Sequence, residues 1–422
     1  MFIIYDLIFL AISIVYLPIY LLRRKFHRGF WARLGVLAKD LNFASPIWIH
    51  AVSVGEAQAV KALIEELRRA YPDKRLVIST VTATGNKIAN TIAKAGDFVT
   101  YLPLDFSFFV RCVIDKINPA VFILAETEIW PNLISYLHKK KIPIIVVNGR
   151  ISDASLRGYR LIKFLAKPIL NKVSLFCLQS ERDAQRLRSL GLAADKIKVT
   201  GNMKFDIAID VQKDYSSYKT KLGLLPQEEL FVAGSTHPQE EKIILDTYQE
   251  LCVNYPDLKL FLAPRHPQRA KDIEKIVSAV GFRAVLVSQL PLAPCNCIAK
   301  PVFILDSIGE LNNFYAIASI VFIGGSLVKI GGHNILEPAA FAKPVLFGPH
   351  MFNFRDIAEL FLNSQAAILV RDPQELKKAI TDLLSSPSQR SKLSQRAKEL
   401  ILKNQGSSHS NLELITHVLQ AR

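Results

Sequence analysis

Three carboxylates follow apolar runs that have the length and composition of buried strands. Glu56 comes shortly after the run 47–51, and Glu126 and Glu128 come directly after the run 121–125. Parallel sheets hold ligands at the carboxyl ends of their strands, which is where these side chains fall. Sugar transfer with inversion needs one base to take a proton from the attacking hydroxyl, and it needs no protein nucleophile. Glu56 suits that base, although a helix N-terminal carboxylate stabilised by the macrodipole is an equally good interpretation of its position.

The stretch 323–350 has the pattern of an anion site. An apolar run ends in the glycine turn 324–326, and a second glycine pair at 331–332 leads into a short helix that carries Asn334 and Glu337. Bare backbone N–H groups in glycine turns and at helix starts bind phosphate-sized anions. Glu337, one turn into that helix, can accept both hydroxyls of a ribose. Glycines that serve only tight packing are the alternative, but the two glycine pairs with Asn334 and Glu337 favour a nucleotide-sugar site.

Two further loops follow apolar runs in the second half of the chain and are candidates to contact a donor phosphate. Ser235 and His237 follow one run, and Arg265 and His266 follow the next. Arg265 can form a bidentate ion pair with a phosphate, and the alternative is that Arg265 and His266 form a surface pair. The sequence has no Cys, His or Asp cluster at metal-ligand spacing, so it indicates no metal, and we expect no cofactor.

The chain is strongly basic. Its 422 residues include 53 Lys and Arg against 37 Asp and Glu, a net charge of +16, and half of them are hydrophobic. A basic balance fits a polyanionic partner, such as nucleic acid, an anionic membrane surface or a phosphorylated lipid. The sequence has no RNA-binding signature or zinc-finger spacing, so we do not expect nucleic acid. The five scattered cysteines indicate reduced structural thiols in a protein that faces the cytosol.

The N-terminus has the pattern of a membrane anchor. Residues 2–22 are nearly all apolar and about long enough for a helix to cross a bilayer, and basic residues follow at once. Positive charge on that flank predicts that the rest of the chain lies in the cytoplasm. Asp6 and Pro18 leave a second possibility open, a helix that lies in the membrane interface. Either way, the sequence predicts a protein held at a membrane by residues 1–25.

The rest of the chain alternates short apolar runs with helical patterns, which indicates parallel sheets covered on both faces. The alternation stops at a polar, unpatterned segment and then restarts. These features predict an N-terminal Rossmann-like domain over 26–209, a linker over 210–221 and a C-terminal Rossmann-like domain over 222–422. Two doubly wound domains facing a cleft describe the GT-B glycosyltransferase architecture. The last helical pattern, 407–420, is a candidate to pack back across the first domain.

Six motifs stand in order along nearly the whole chain. They are HAVSVGE from His50, AETEIWPN from Ala125, GNMKFD from Gly201, PRHP from Pro264, GGSLVKIGGHNILEPA from Gly324 and GPHMFNF from Gly348. Together they closely resemble the 3-deoxy-D-manno-octulosonic acid (Kdo) transferases of lipopolysaccharide assembly. The resemblance implies an inverting, metal-independent GT-B enzyme that transfers Kdo from CMP-Kdo to the lipid A precursor lipid IVA. It also implies a place at the cytoplasmic face of the inner membrane of a Gram-negative bacterium.

The resemblance implies roles for individual residues. The family's catalytic base falls on Glu56 and its second essential acidic position falls on Glu126. Its nucleotide contacts fall on the segment around Arg265, Gly332, Asn334 and Glu337. Ser235 and His266, from the two loops described above, complete the expected donor contacts. One departure is that Pro238 and Gln239 follow His237, where the family usually has an acidic residue and then glycine. Lipid IVA carries two phosphates, so we expect basic residues near the anchor to bind the acceptor: Arg23, Arg24, Lys25, Arg28 and Arg33.

Two other functions fit parts of this pattern. Another GT-B enzyme, such as a UDP-GlcNAc transferase or the UDP-GlcNAc 2-epimerase that shares the fold, would prefer UDP to CMP. A membrane-bound binding protein without catalytic activity would show no turnover. The presence of Glu56, Glu126 and Glu337 argues against that second alternative, and turnover by the wild-type protein would exclude it.

Overall fold

The structure, a computed structural model, describes residues 5–7, 9–11, 13–14, 29–37, 41, 43–207, 213–290 and 300–421. The chain divides into two compact units. The first comprises Met1–Asp206 together with Asn404–Arg422, and the second comprises Ile207–Lys403. Each unit is built on a seven-stranded parallel sheet with helices packed against it. The prediction of an α/β fold with two parallel sheets is therefore confirmed.

The first unit holds strands β1 to β7. They are β1 (Ile47–His50), β2 (Leu76–Thr80), β3 (Phe98–Tyr101), β4 (Val121–Ala125), β5 (Ile144–Gly149), β6 (Leu175–Leu178) and β7 (Ile197–Val199). The sheet order is β3-β2-β1-β4-β5-β6-β7, and neighbouring strands run parallel. Every residue of β1, β2, β4 and β5 is buried. Helices on both faces explain why these strands are nearly continuous apolar runs.

The described helices of the first unit alternate with its strands, apart from the first and last. They are Phe30–Arg33, Val54–Ala59, Lys61–Ala70, Ala83–Ile92, Ser107–Ile117, Pro131–Lys139, Asp153–Leu161, Lys163–Leu170, Glu181–Ser189 and Ser407–Gln420, with 3-10 turns at Ala194–Lys196 and Met203–Phe205. Several begin at a serine or threonine whose side chain accepts a hydrogen bond from the first turn. These N-caps explain where the helices start, because they satisfy N–H groups that have no partner within the helix.

The second unit holds strands β8 to β14. They are β8 (Glu229–Thr236), β9 (Leu258–Pro264), β10 (Arg283–Leu286), β11 (Pro301–Ile304), β12 (Ile320–Ile323), β13 (Val345–Phe347) and β14 (Ile368–Leu369). The sheet order is β10-β11-β9-β8-β12-β13-β14, again parallel. Its described helices are Ser216–Leu222, Glu240–Leu251, Ala270–Ala279, Leu311–Ile317, Leu336–Ala340, Arg355–Asn363, Pro373–Ser385 and Pro387–Asn404, with 3-10 turns at Pro267–Arg269 and Val287–Gln289.

Each sheet contains one point at which the order of its strands reverses. In the first sheet β1 lies between β2 and β4, and in the second β8 lies between β9 and β12. Crossovers leave such a point in opposite directions, so a crevice opens there at the carboxyl ends of the strands. Glu56 and Glu126 follow β1 and β4, and His237 and the glycine turn 324–326 follow β8 and β12. The topology therefore places the residues singled out by sequence at the two switch points.

The N-terminal segment contacts the first unit through Asp6. The described residues between 5 and 14 are helical, and the Asp6 carboxylate accepts hydrogen bonds from the backbone N–H of Ser107 (3.1 Å) and the side-chain amide of Asn132 (2.7 Å). Within the part of the chain that the structure describes, no helix is both long enough and apolar enough to cross a membrane. The anchor expected over residues 1–25 lies largely outside the described residues and stays a prediction.

The C-terminal helix Ser407–Gln420 packs on the helix Lys61–Ala70 of the first unit. Its Ile415 is fully buried in the apolar core on that side of the first sheet. The boundaries drawn from the sequence placed 404–422 in the second domain, whereas the structure groups this segment with the first unit. The expectation that residues 407–420 pack back across the first domain is confirmed.

Asp206 joins the two chain segments of the first unit. Its carboxylate accepts hydrogen bonds from the backbone N–H groups of Gly406 (2.7 Å) and Ser408 (2.6 Å), at the start of the helix Ser407–Gln420. We predict that Asp206→Ala lowers the free energy of unfolding by about 1–2 kcal/mol, because these two donors lose their acceptor. Urea unfolding checks this, with Asp206→Asn, which keeps one acceptor oxygen, as the milder control. Equal stability of Asp206→Ala and wild type would contradict the prediction.

Candidate active site

Glu56 lies in the first turn of the helix Val54–Ala59, just after β1. Ser53 is the N-cap of that helix and donates its hydroxyl to Glu56 Oε1 (2.8 Å), while Glu56 Oε2 accepts from the N–H of Val52 (2.7 Å). A glutamate three residues after a serine cap is the capping-box arrangement. Glu56 therefore helps to cap this helix. Its carboxylate oxygens keep further lone pairs that can accept a substrate proton.

Burial gives the Glu56 carboxyl group the basicity that proton transfer near neutral pH requires. The residue is only 8% exposed. Burial raises the pKa of Glu56 to about 7, against the lowering effect of the hydrogen bonds from Val52 and Ser53, and the negative charges of Glu126 and Glu128 raise it further. A base whose pKa lies near the working pH is both partly ionised and basic enough to remove a proton.

Glu126 adopts a strained backbone conformation directly after β4. Its φ is +60°, in the left-handed region that costs a non-glycine residue about 1–2 kcal/mol. Its N–H donates to the carbonyl of Val147 (2.9 Å), and its carboxylate lies 3.9 Å from Lys204 Nζ on the turn Met203–Phe205. Strain of this kind persists where surrounding contacts impose it, and it is concentrated at functional sites. The structure thus brings Glu56, Glu126 and Lys204 to one edge of the first sheet.

Asn148, which the sequence analysis did not single out, supports this edge. It is fully buried near the end of β5, with a φ of +53°. Its Oδ1 accepts the backbone N–H of Met203 (3.0 Å), and its carbonyl accepts from the side-chain amide of Gln179 (3.0 Å). The first of these bonds fixes the turn that carries Lys204. The available signal was a single polar residue at the end of an apolar run, immediately before a glycine.

The glycine turn of the second unit is filled by a carboxylate from the chain itself. Glu240 is fully buried at the start of the helix Glu240–Leu251. It accepts four backbone N–H groups, those of His237 (3.0 Å), Gly325 (2.6 Å), Ser326 (3.0 Å) and Leu327 (2.9 Å). The expectation that this turn presents bare N–H groups to a phosphate is therefore wrong. Buried N–H groups need an acceptor, and here an internal anion supplies it.

Close packing also requires glycine around this turn. A Cβ on Gly324 would lie 2.4 Å from the carbonyl oxygen of Ser235, and a Cβ on Gly332, whose φ is +70°, would lie 2.1 Å from the Met351 sulfur. Gly332 donates its N–H to the carbonyl of Gly325 (2.8 Å). Ser235 itself has a φ of +59°. Two of the expected donor contacts, Ser235 and Gly332, are thus held by the contacts that close the turn.

Three histidines meet beside the same turn. His237 Nε2 and His333 Nε2 are 2.8 Å apart with nearly parallel rings, and the ring of His266 meets that of His237 edge-on with centroids 6.1 Å apart. In the His237–His333 hydrogen bond one ring donates and the other accepts, so two neutral rings satisfy it. Burial lowers the pKa of His333 to about 4, and the charge of Arg265 lowers it further. At pH 7 the pair therefore offers hydrogen bonds and not positive charge.

Arg265 supplies positive charge to this site. It follows β9 with an exposed side chain, and its backbone N–H donates to the carbonyl of Thr236 (3.0 Å), which keeps it beside the histidines. Burial raises the pKa of the Glu337 carboxyl group, while Asn334 and Arg265 lower it. The Asn334 amide donates to Glu337 Oε1 (3.0 Å) and so orients that carboxylate. A guanidinium for an anion and an oriented carboxylate for hydroxyls together suit a nucleotide.

The expected acceptor contacts are only partly within the described residues. Arg33 ends the short helix Phe30–Arg33, and its carbonyl accepts the N–H of Leu104 (2.8 Å). The other expected contacts, Arg23, Arg24, Lys25 and Arg28, lie outside the described residues. The assignment of all five to the acceptor stays a prediction.

We predict that the Glu56 carboxyl group titrates near pH 7, against an ordinary value of 4.5, because burial disfavours its ionised form. Carbon-13 NMR of labelled glutamate carboxyls measures this pKa, with Glu56→Gln to assign the signal. In the double variant Glu126→Gln/Glu128→Gln the pKa falls, since two negative charges are gone, but stays above the ordinary value because burial remains. A wild-type pKa at the ordinary value would overturn this account of the site.

We predict that Glu240→Gln lowers the free energy of unfolding of the second unit by about 3 kcal/mol. The substitution turns one acceptor oxygen into an NH₂ group that faces backbone donors and leaves them unsatisfied. Asp246→Asn is the matched control, because Asp246 lies on the same helix in an exposed ion pair with Lys242 (3.1 Å); we expect a change within about 0.5 kcal/mol. Urea unfolding measures both variants, and similar losses in the two would contradict the role of Glu240.

Comparisons with known proteins identify the family of this chain. A family profile described as 3-deoxy-D-manno-octulosonic-acid transferase (kdotransferase) matches residues 28–207. The 3-deoxy-D-manno-octulosonic acid transferase of Haemophilus influenzae is 35% identical over 378 residues, covering 89% of this chain and 87% of that one. The transferase of the same description from Chlamydophila psittaci is 31% identical over 396 residues, covering 92% and 89% of the two chains.

Solved structures match the fold over both sheets. UDP-GlcNAc 2-epimerase from Neisseria meningitidis gives a TM-score of 0.60 at 14% identity, covering 88% of this chain and 100% of that one. A glycosyltransferase from Rickettsia africae gives a TM-score of 0.55 at 15% identity, covering 90% and 100%. At such identities the likeness shows a GT-B-like fold alone. The sequence identity of 31–35% to the two relatives over most of both chains shows more than the fold: this chain belongs to the 3-deoxy-D-manno-octulosonic acid transferase family.

Proposed function

We propose that this chain transfers Kdo from CMP-Kdo to the lipid A precursor lipid IVA, with inversion at the anomeric carbon, in lipopolysaccharide biosynthesis. One observation carries the proposal. In a chain of the Kdo transferase family, Glu56 and Glu126 lie together at the switch point of the first sheet, and burial raises the pKa of Glu56 to about 7. That arrangement supports a general base at the place where a parallel sheet holds its ligand.

Glu56 is the base in the proposed reaction. Its ionised carboxylate takes the proton of the acceptor hydroxyl while the hydroxyl oxygen forms a bond to the anomeric carbon of Kdo. The bond from that carbon to the phosphate oxygen of CMP breaks, and CMP leaves with the electron pair. Glu126 lies at the same edge of the first sheet as Glu56 and adds negative charge where the sugar ring becomes positive in the transition state. The step needs no covalent sugar–enzyme intermediate.

The second unit holds the donor. Arg265 pairs with the phosphate of CMP-Kdo, and the neutral His237–His333 pair and His266 donate hydrogen bonds to it. Glu337, oriented by Asn334, accepts the ribose hydroxyls. In this proposal the glycine turn 324–326 acts indirectly. Its N–H groups bind Glu240, which fixes the loop that carries His237.

The proposed acceptor is a lipid, so we also propose that the protein works at a membrane. Lipid IVA carries phosphates as well as acyl chains, and a chain with a net charge of +16 suits such a ligand at an anionic surface. We place the protein at the cytoplasmic face of the inner membrane of a Gram-negative bacterium, held by its N-terminal segment. Arg33 and the basic residues before it are the proposed acceptor contacts.

We predict that wild-type protein transfers Kdo from CMP-Kdo to lipid IVA in detergent and that Glu56→Ala lowers kcat by about 100- to 10,000-fold, the range for a lost general base. Mass spectrometry of the lipid identifies the product, and calorimetry shows that Glu56→Ala still binds CMP. The control is Glu413→Ala, an exposed carboxylate of the same unit, which we expect to be fully active. Normal transfer by Glu56→Ala removes Glu56 as the base, and no product from wild type removes this donor or acceptor.

A UDP-sugar enzyme is the second candidate, because the fold neighbours include UDP-GlcNAc 2-epimerase. We predict tighter binding of CMP than of UDP, and a 10- to 100-fold loss of CMP affinity in Arg265→Ala, since charge-assisted hydrogen bonds contribute about 1.5–3 kcal/mol. Calorimetry measures both, with Lys271→Ala as the control for loss of an exposed positive charge elsewhere in the same unit. A preference for UDP would favour the second candidate.

A further inference from the structure

One part of the first unit exposes large apolar side chains to solvent. It lies where the helix Asp153–Leu161 meets the helix Lys163–Leu170, and all residues from 160 to 165 are exposed. The apolar residues among them are Leu161 (82% exposed), Phe164 (76%), Ile162 (48%) and Leu165 (42%). Single exposed apolar residues are ordinary, but a contiguous group of this size marks an interaction surface. We call residues 157–167 the exposed corner.

The exposed apolar side chains of this corner are not needed to pack the fold. On the inward side, Leu156 and Tyr159 pack against the core, and Ala166 and Ile169 are buried. The two helices therefore already bury an apolar face against the sheet. Leu161 and Phe164 lie on the opposite, outward side, where they contribute nothing to that core.

Basic side chains surround the apolar ones. Between residues 157 and 167 the chain has no acidic residue and four basic ones: Arg157, Arg160, Lys163 and Lys167. Arg160 and Lys163 bond to neutral groups, the hydroxyl (3.4 Å) and the carbonyl (3.2 Å) of Ser189, so these contacts leave their charges available. An open groove of 490 Å³ runs between basic and apolar side chains at this corner.

We infer that the exposed corner docks on the surface of an anionic bilayer. Leu161 and Phe164 enter the boundary between headgroups and acyl chains, and the four basic residues bind lipid phosphates. Apolar burial and attraction to anionic headgroups act together at such a surface. The positive charge of the corner favours an anionic membrane over a second copy of the chain. Two copies of the chain meeting through this corner would bring four positive charges against four more, whereas an anionic membrane neutralises them.

Tyr159 connects this surface to the candidate active site. It lies on the helix that ends in Leu161, and burial together with the negative charge of Glu128 raises its pKa. The helix Lys163–Leu170 also packs against the helix Pro131–Lys139, which begins three residues after Glu128. On the proposed function, docking brings an acceptor that is still held in the membrane to the edge of the unit that carries Glu56.

Fluorescence of the full chain with Phe164→Trp tests docking directly, whatever the N-terminal segment does. With vesicles of dibrominated phosphatidylglycerol, we expect a blue shift and strong quenching of the added tryptophan relative to wild type. Neutral vesicles of dibrominated phosphatidylcholine should give much less quenching. High salt should weaken the quenching by dibrominated phosphatidylglycerol. Val253→Trp is the control, because Val253 is 80% exposed and lies in the second unit. Absence of extra quenching in Phe164→Trp overturns the inference. A blue shift that needs no lipid and grows with protein concentration also overturns it, in favour of a second copy.

The double variant Leu161→Ser/Phe164→Ser separates this inference from the proposed function. We expect an increase of about tenfold or more in KM for lipid acceptor presented in phosphatidylglycerol vesicles, with kcat unchanged and with normal transfer in detergent micelles. The control is Val253→Ser/Ile308→Ser, two exposed apolar residues of the second unit, which should match wild type. An unchanged KM in vesicles contradicts docking at this corner. If wild type transfers no sugar at all, the proposed function fails, while the quenching result still decides docking.

Discussion

The second unit depends on one buried carboxylate. Glu240 has no contact with solvent, so its charge is tolerable only because four backbone N–H groups donate to it. Those donors come from two loops, one after β8 and one after β12. The carboxylate therefore joins these two loops at the switch point and fixes the backbone around His237. The histidine pair, Arg265 and Glu337 are arranged around a frame that this one side chain holds in place.

Glu56 in the first unit is a second buried carboxylate, and fewer hydrogen bonds hold it than hold Glu240. It too follows a strand and caps the start of a helix, but it accepts only two hydrogen bonds, from Val52 and Ser53. Burial without full compensation raises its pKa to about 7, and the neighbouring negative charges act in the same direction. Burial raises the pKa of Glu240 as well, although four backbone hydrogen bonds lower it. The two carboxylates therefore differ in how many donors hold them and not in the direction of their pKa shift.

Much of this arrangement could be predicted from the sequence. Apolar runs such as 121–125 became buried parallel strands, because a sheet covered on both faces needs continuous apolar strands. The glycine turn 324–326 was identified, but its ligand was not. No sequence period reveals that Glu240, 85 residues before Gly325, would occupy it. Asn148 was missed for a similar reason, since its role is to hold a turn 55 residues further along the chain.

The sequence by itself determined the family and the α/β class, and it singled out Glu56 and Glu126 as candidates, because local composition and motifs carry that information. Only the tertiary structure decided which groups meet. It paired His237 with His333, set the basicity of Glu56 through burial, and brought the Asp206 carboxylate to the start of the helix Ser407–Gln420. It also left Leu161 and Phe164 outside the core. The physical reason is that burial and hydrogen-bond partners depend on contacts between distant segments, which no stretch of sequence specifies alone.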